Sequence, residues 1–225
     1  HWPYIAPSPY HAMYGPNQIL PVNKSPRELE NQHPVVAAYR QHEESVNFAR
    51  DEVASTVRPA YMGLIAQIDD HMGRLFAVLE RLGRFDDTLI VFTADHGDFL
   101  GDHWLGEKEL FYDAVLKVPM IVYDPDAAAD ATRGTVDARL VEAIDVLPTC
   151  LEALHCDPAA HLIEGRSLLP LTRGRAPAEW RDAAFSELAY SFRQARITLK
   201  RDVRDCRAFM LRSQHWKYVE WLGYR

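Results

Sequence analysis

Apolar positions along this chain follow three patterns, and each predicts a different kind of element. From Pro59 to Leu82, the residues Met62, Ile65, Ile68, Met72, Leu75, Phe76, Leu79 and Leu82 recur at three- and four-residue steps, which predicts one long amphipathic helix with a buried stripe. Pro59 suits the first turn of that helix and Gly83 its end. Thr88 to Thr93 is a run of apolar and β-branched residues without alternation, so it predicts a parallel strand covered on both faces. Val118 to Tyr123 reads as a second buried strand, with Pro119 near its start, where a lost N–H is tolerated. The third pattern is short and alternating: Ala183 to Ser186, Ala208 to Arg212 and Trp216 to Trp221 read as antiparallel strands joined by polar turns.

Between these elements the signals are weaker. Seven prolines fall at or before Pro34, which forbids a long helix or a central strand, while the aromatic content argues against a disordered linker; an ordered, wrapping arm is expected. Residues 35–48 are weakly helical. Asp145 is placed to cap a helix in which Pro148 still lies in the first turn. The helix at 59–82 followed by the strand at 88–93 reads as the second half of a βαβ unit. The expected architecture is an α/β body over residues 1–175 and a small antiparallel subdomain over residues 176–225.

Composition narrows the class. The 225 residues are 48% hydrophobic and 25% charged, as in a globular protein that can bury a sizeable core, and no apolar run approaches the length of a membrane span. A net charge of −7 argues against general nucleic-acid affinity. From Arg193 onward, however, nine lysines and arginines face three acids, which leaves −13 on the rest of the chain; this basic end is a candidate surface for homo-oligomerisation. Cysteines 150, 156 and 206 have neither metal-ligand spacing nor an even-numbered framework, so reduced thiols are expected, with the cytoplasm favoured as compartment.

The chemistry concentrates where the run at 88–93 ends, on Asp95, His96 and Gly97. Ligands collect at the carboxyl ends of strands in open α/β sheets, and glycine allows close backbone approach there. A carboxylate and a neutral imidazole make half of a divalent-metal site, and imidazole favours manganese, zinc or iron, with calcium still open. The following loop adds Asp98, Asp102, His103, Glu107 and Lys108, and Lys108 can fold back to neutralise or protonate a departing oxygen. His1, in His1-Trp2-Pro3-Tyr4, is a further candidate held by a stiff aromatic loop.

A longer ordered series gives these residues a context. Tyr61-Met62-Gly63, Ile68-Asp69, Gly73-Arg74-Leu75, Asp87 through Asp98, Leu100-Gly101-Asp102-His103, Lys108, Phe111-Tyr112-Asp113, Val118 to Val122, Asp145 to Thr149 and Gly165 to Leu171 together resemble the sulfatase family of the alkaline phosphatase superfamily. His1 to Tyr4 and Arg207 to Tyr218 are most similar to its phosphonate monoester hydrolase and phosphodiesterase branch. The resemblance implies an alkaline-phosphatase-like mixed or parallel sheet flanked by helices, present here in part. It also implies a metal-dependent hydrolase of small phosphonate monoesters, phosphodiesters or sulfate esters, with manganese the favoured ion. By the same resemblance Asp95 and His96 match two metal ligands, Lys108 the lysine at the ester group or leaving oxygen, and His1 the histidine that assists the leaving group.

The family's nucleophile is a formylglycine made from the cysteine of a C-x-P-x-R motif. Cys156-Asp157-Pro158-Ala159-Ala160 lacks the arginine and follows the Asp95 block instead of preceding it, so we read it as coincidental. The early acidic ligands are absent as well, and Asp69 and Asp70 sit mid-helix. The nucleophile and the remaining ligands are therefore expected before His1, leaving this stretch inactive alone. Rival readings are an aryl or carbohydrate sulfatase, a phosphomutase-like relative with a Ser or Thr nucleophile, and a degenerate binding module; a serine hydrolase finds no G-x-S-x-G elbow.

Overall fold

The computed structural model describes residues 3–157, 159, 161–175 and 177–224. An arm of loops and short 3-10 turns precedes two small helices, α1 (Pro34–Tyr39) and α2 (Glu43–Phe48), and then the long α3 (Asp51–Arg81). Strand β1 (Ile90–Thr93) is followed by a compact loop, α4 (Asp113–Leu116) and β2 (Met120–Tyr123). Next come α5 (Val146–Ala153), α6 (Leu169–Thr172), β3 (Ala183–Ala189), α7 (Gln194–Leu199), β4 (Arg207–Ser213) and β5 (Lys217–Trp221).

Helix α3 begins two turns before the position expected from Pro59, which lies buried inside it. Asp51 and Glu52 occupy the first turn, where carboxylates favour the exposed N–H groups of a helix start. Pro59 withholds one N–H from the helix ladder. One turn on, a Cβ on Gly63 would lie 2.4 Å from the Tyr10 carbonyl oxygen, so this bare stretch of α3 is where the arm crosses it. The apolar stripe is only half covered by the described residues: Ile65, Ile68 and Leu75 remain 45%, 52% and 49% exposed.

Strand β1 departs from expectation in direction. It pairs antiparallel with β2, Ile90 opposite Tyr123 and Thr93 opposite Met120, and all four of its residues are half-buried. A continuous apolar run reports that both faces seek cover; it carries no information on the direction of the neighbouring strand. The carboxyl-terminal strands form the expected antiparallel sheet in the order β3-β4-β5, with β3 longer than its apolar signal. Ala208 and Met210 on its inner face pack on Phe111 and Leu116, beside α4. The main cluster joins Val35, Ala38 and Tyr39 of α1 to Phe99, Leu105 and Leu110 of the loop, and to Tyr190, Ala195 and Cys206.

Asp145 precedes α5 as expected but makes no side-chain cap to it. Its fully buried carboxylate accepts from the two terminal Arg181 nitrogens, Nη1 and Nη2, at 2.5 and 2.6 Å and from the Arg166 N–H at 2.8 Å. A buried carboxylate needs a charged partner more than a helix N-terminus needs one more acceptor. The three cysteines are free.

Candidate functional site

The end of β1 turns at Gly97, whose N–H donates to the Val115 carbonyl at 2.7 Å. A Cβ there would fall 2.0 Å from the Ala114 oxygen, so the turn can lie on α4 only with glycine in this place. His96 is oriented by the same turn. Its Nδ1 lies 2.7 Å from the Gly97 carbonyl oxygen, which can only accept; Nδ1 is therefore the donor of that bond, and Nε2 is the ring nitrogen left for another partner. Nε2 in turn lies 3.5 Å from Asp95 Oδ2. The Asp95 carboxylate is 87% exposed and takes the His96 N–H at 2.9 Å. That N–H, then the His96 ring and more distantly the Lys108 ammonium, hold its acidity stronger than usual for an aspartate.

Lys108 reaches this neighbourhood because its loop closes on itself. The Phe99 N–H donates to the Glu107 carbonyl at 2.8 Å, and the Gly101 N–H to the Leu105 carbonyl at 3.0 Å. Inside the loop Leu100, His103, Trp104, Glu107, Glu109 and Leu110 all adopt left-handed backbone, a conformation that costs residues other than glycine of order 1 kcal/mol each. Contacts from outside hold it there. Asp102 takes the Arg58 guanidinium at 2.7 Å and the Asn23 N–H at 2.8 Å, while His103 Nδ1 lies 3.0 Å from Glu28. The Trp104 indole donates to the Ser25 carbonyl under the Lys24 ammonium, and Glu109 pairs with Arg193. Asp102 and His103, candidates by type, thus face the arm and anchor the loop instead of joining Asp95.

Asp98 serves the turn from behind. It accepts the Tyr4 hydroxyl at 2.5 Å and the Leu100 N–H at 3.0 Å. Burial pushes its carboxyl above the ordinary aspartate range, against the pull of those two bonds, and burial followed by the Asp98 contact pushes the Tyr4 phenol up as well. Tyr4 packs edge-on against Phe48 and Tyr61. Sequence reasoning missed Tyr4, because nothing in a Pro-rich arm marks one tyrosine as facing a residue ninety-four positions away. His1 lies outside the described residues, as do Pro158 and Ala160 of the Cys156 run.

Asp95 and His96 thus place an exposed carboxylate beside an imidazole Nε2 that Gly97 leaves unused, and these are residue types that fit a divalent ion. Among the described residues no cluster of three or more His, Cys, Asp or Glu completes it. No helix among the described residues is long and apolar enough to cross a membrane. Asp69 and Asp70 lie on α3, where Asp70 takes the Tyr10 hydroxyl at 2.6 Å and pairs with Arg74.

The sulfatase family model matches residues 11–156, almost two thirds of the chain and all of the loop just described. This chain belongs to the sulfatase family. A second model, N-sulphoglucosamine sulphohydrolase, C-terminal, matches residues 101–223. The multifunctional alkaline phosphatase superfamily protein PehA of Trinickia caryophylli is 34% identical to this family member, over 97% of the chain and 45% of its own length. The phosphonate monoester hydrolase of Silicibacter pomeroyi superposes with a TM-score of 0.82 at 31% identity, over 99% of this chain and 46% of its own. That of Agrobacterium radiobacter gives 0.87 at 29%, over 99% and 47%. The fold is therefore the α/β fold of the alkaline phosphatase superfamily, represented in part, and the chain spans about half the length of the relatives it matches.

Proposed function

We propose that these residues contribute metal-binding and leaving-group residues to a metal-dependent hydrolase of phosphonate monoesters or phosphodiesters. The supporting observation is the orientation of His96: with Nδ1 committed to the Gly97 carbonyl, Nε2 is the ring nitrogen left to meet an ion beside Asp95 Oδ2. Such an ion, when bound, would lower the pKa of a hydroxyl nucleophile and screen the negative charge of the ester. Asp95 and His96 would hold it, manganese first among the candidates. The Lys108 ammonium, without a hydrogen-bond partner among the described residues, is available to place its charge or proton on the departing oxygen. We assign His1 to assist that same step, and the nucleophile, a formylglycine, to residues outside these 225. Sulfate-ester hydrolysis is the second reading, favoured by 33% identity over 59% of this chain to an arylsulfatase of Clostridium perfringens.

The test measures hydrolysis of an aryl phosphonate monoester, an aryl phosphodiester and an aryl sulfate by the protein that carries these residues, stripped by chelator and then given manganese, calcium, zinc or iron(II) singly. Activity on at least one ester class should return with a divalent ion, and Asp95→Ala or His96→Ala should lower kcat/KM by about a hundredfold or more. Lys108→Ala should slow poor leaving groups most, on the order of a hundredfold. Equal loss across all leaving groups would remove Lys108 from that role, and full activity in chelator would overturn the metal reading.

A further inference from the structure

The carbonyl that fixes the His96 tautomer belongs to the peptide unit between Gly97 and Asp98, so whatever holds Asp98 also holds the plane of that carbonyl. Asp98 is held at both carboxylate oxygens, by the Tyr4 hydroxyl at 2.5 Å and by the Leu100 N–H at 3.0 Å. The amide at the other end of Gly97 is fixed as well, by the Val115 carbonyl. Tyr4 itself is only 9% exposed and its ring is packed by Phe48 and Tyr61, so the hydroxyl is a firm point of attachment.

We propose that Tyr4 and Asp98 are a positioning pair. Through the Gly97 carbonyl they keep His96 Nδ1 as the donor of that bond and so hold Nε2 beside Asp95. Neither residue touches the ligand volume; they act through the turn. The purpose assigned to the relay rests on the metal reading proposed above, while the relay itself does not.

The experiment uses the 225-residue chain labelled with nitrogen-15, at a pH where imidazoles are neutral. Long-range proton–nitrogen spectra report which His96 nitrogen is protonated, and amide exchange reports the Gly97 N–H. Tyr4→Phe keeps the ring and its packing and removes only the hydroxyl; Asp98→Ala removes the acceptor. Both should move His96 toward a mixed or Nε2–H tautomer and speed Gly97 exchange about tenfold or more. The double variant should go no further than either single one, because both break the same link. Tyr10→Phe, which deletes the equivalent hydroxyl bond from the same arm to Asp70 on α3, should leave the His96 signals where they were. An unchanged tautomer in both Tyr4→Phe and Asp98→Ala overturns the proposal, and so does an equal change in Tyr10→Phe, which would reduce the effect to general loosening of the arm.

Manganese alone, titrated into the same samples by electron paramagnetic resonance, separates the two readings. Weaker binding by Tyr4→Phe than by the unsubstituted chain supports both. Binding by neither, together with a displaced tautomer, supports the positioning pair and shows that Asp95 and His96 do not hold manganese by themselves.

Discussion

Gly97 and His96 show how much of a site can rest on one peptide unit. The missing side chain at Gly97 lets the turn lie against Ala114, and the Gly97 carbonyl decides which His96 nitrogen is free. Gly97→Ala would put a methyl 2.0 Å from the Ala114 oxygen, so the turn must lift off α4 and give up the Val115 bond. Thermal unfolding should record a loss of about 1–3 kcal/mol, the usual range for overpacking. The Asp95-His96-Gly97 triplet was legible in the sequence because a buried-strand signal ended on it. The tautomer was not, since it depends on a peptide orientation set by a hydroxyl at Tyr4.

At the scale of elements, α1 and α7 are each secured by a histidine that must stay neutral. His33 Nδ1 accepts the Val35 N–H at 3.3 Å and its ring stacks on Trp221 at 4.8 Å; His42 Nε2 accepts the Ala195 N–H at 3.0 Å. Burial lowers the pKa of both, with Arg193 adding to the effect at His42 and Glu44 opposing it. In the unfolded chain they titrate near about 6.5, so their contribution is complete above that pH and is lost as pH falls through the lower folded values. Melting temperature should therefore decline from neutral pH toward pH of about 5. His42→Gln, which keeps an acceptor that cannot protonate, should show a shallower decline; an identical slope would show that other groups set it. The long helix α3 and the antiparallel character of the carboxyl-terminal strands were readable from periodicity. The direction of β1 was not, because its apolar run speaks only of faces, and the start of α3 was misplaced because Pro59 was given the first turn that Asp51 and Glu52 occupy.

For the whole molecule, one buried tie across the sequence is the Arg181–Asp145 pair, whose side chains are 7% and 0% exposed. Glu142 adds a second carboxylate to the same guanidinium at 3.1 Å. Arg181→Met would strand a buried charge, at a cost of about 3–5 kcal/mol. For a chain of this size that is a melting point lower by roughly 2–4 °C per kcal/mol, and replacing Asp145 with Asn in the same protein should recover part of it. The sequence marked Asp145 as a helix cap because capping is a local rule, whereas its real partner lies thirty-six residues away.

The loop after β1 carries one more consequence. Lys108 follows Asp95 by thirteen positions in the chain, yet the bond from Phe99 to the Glu107 carbonyl folds the loop back so that the Lys108 charge is felt at Asp95. The residues between are a handle, gripped at Asp102, His103 and Trp104 by the arm and by Arg58. Its length therefore has little to do with where the lysine stands, and what the arm grips at the far end of the loop governs how steadily the ammonium is held.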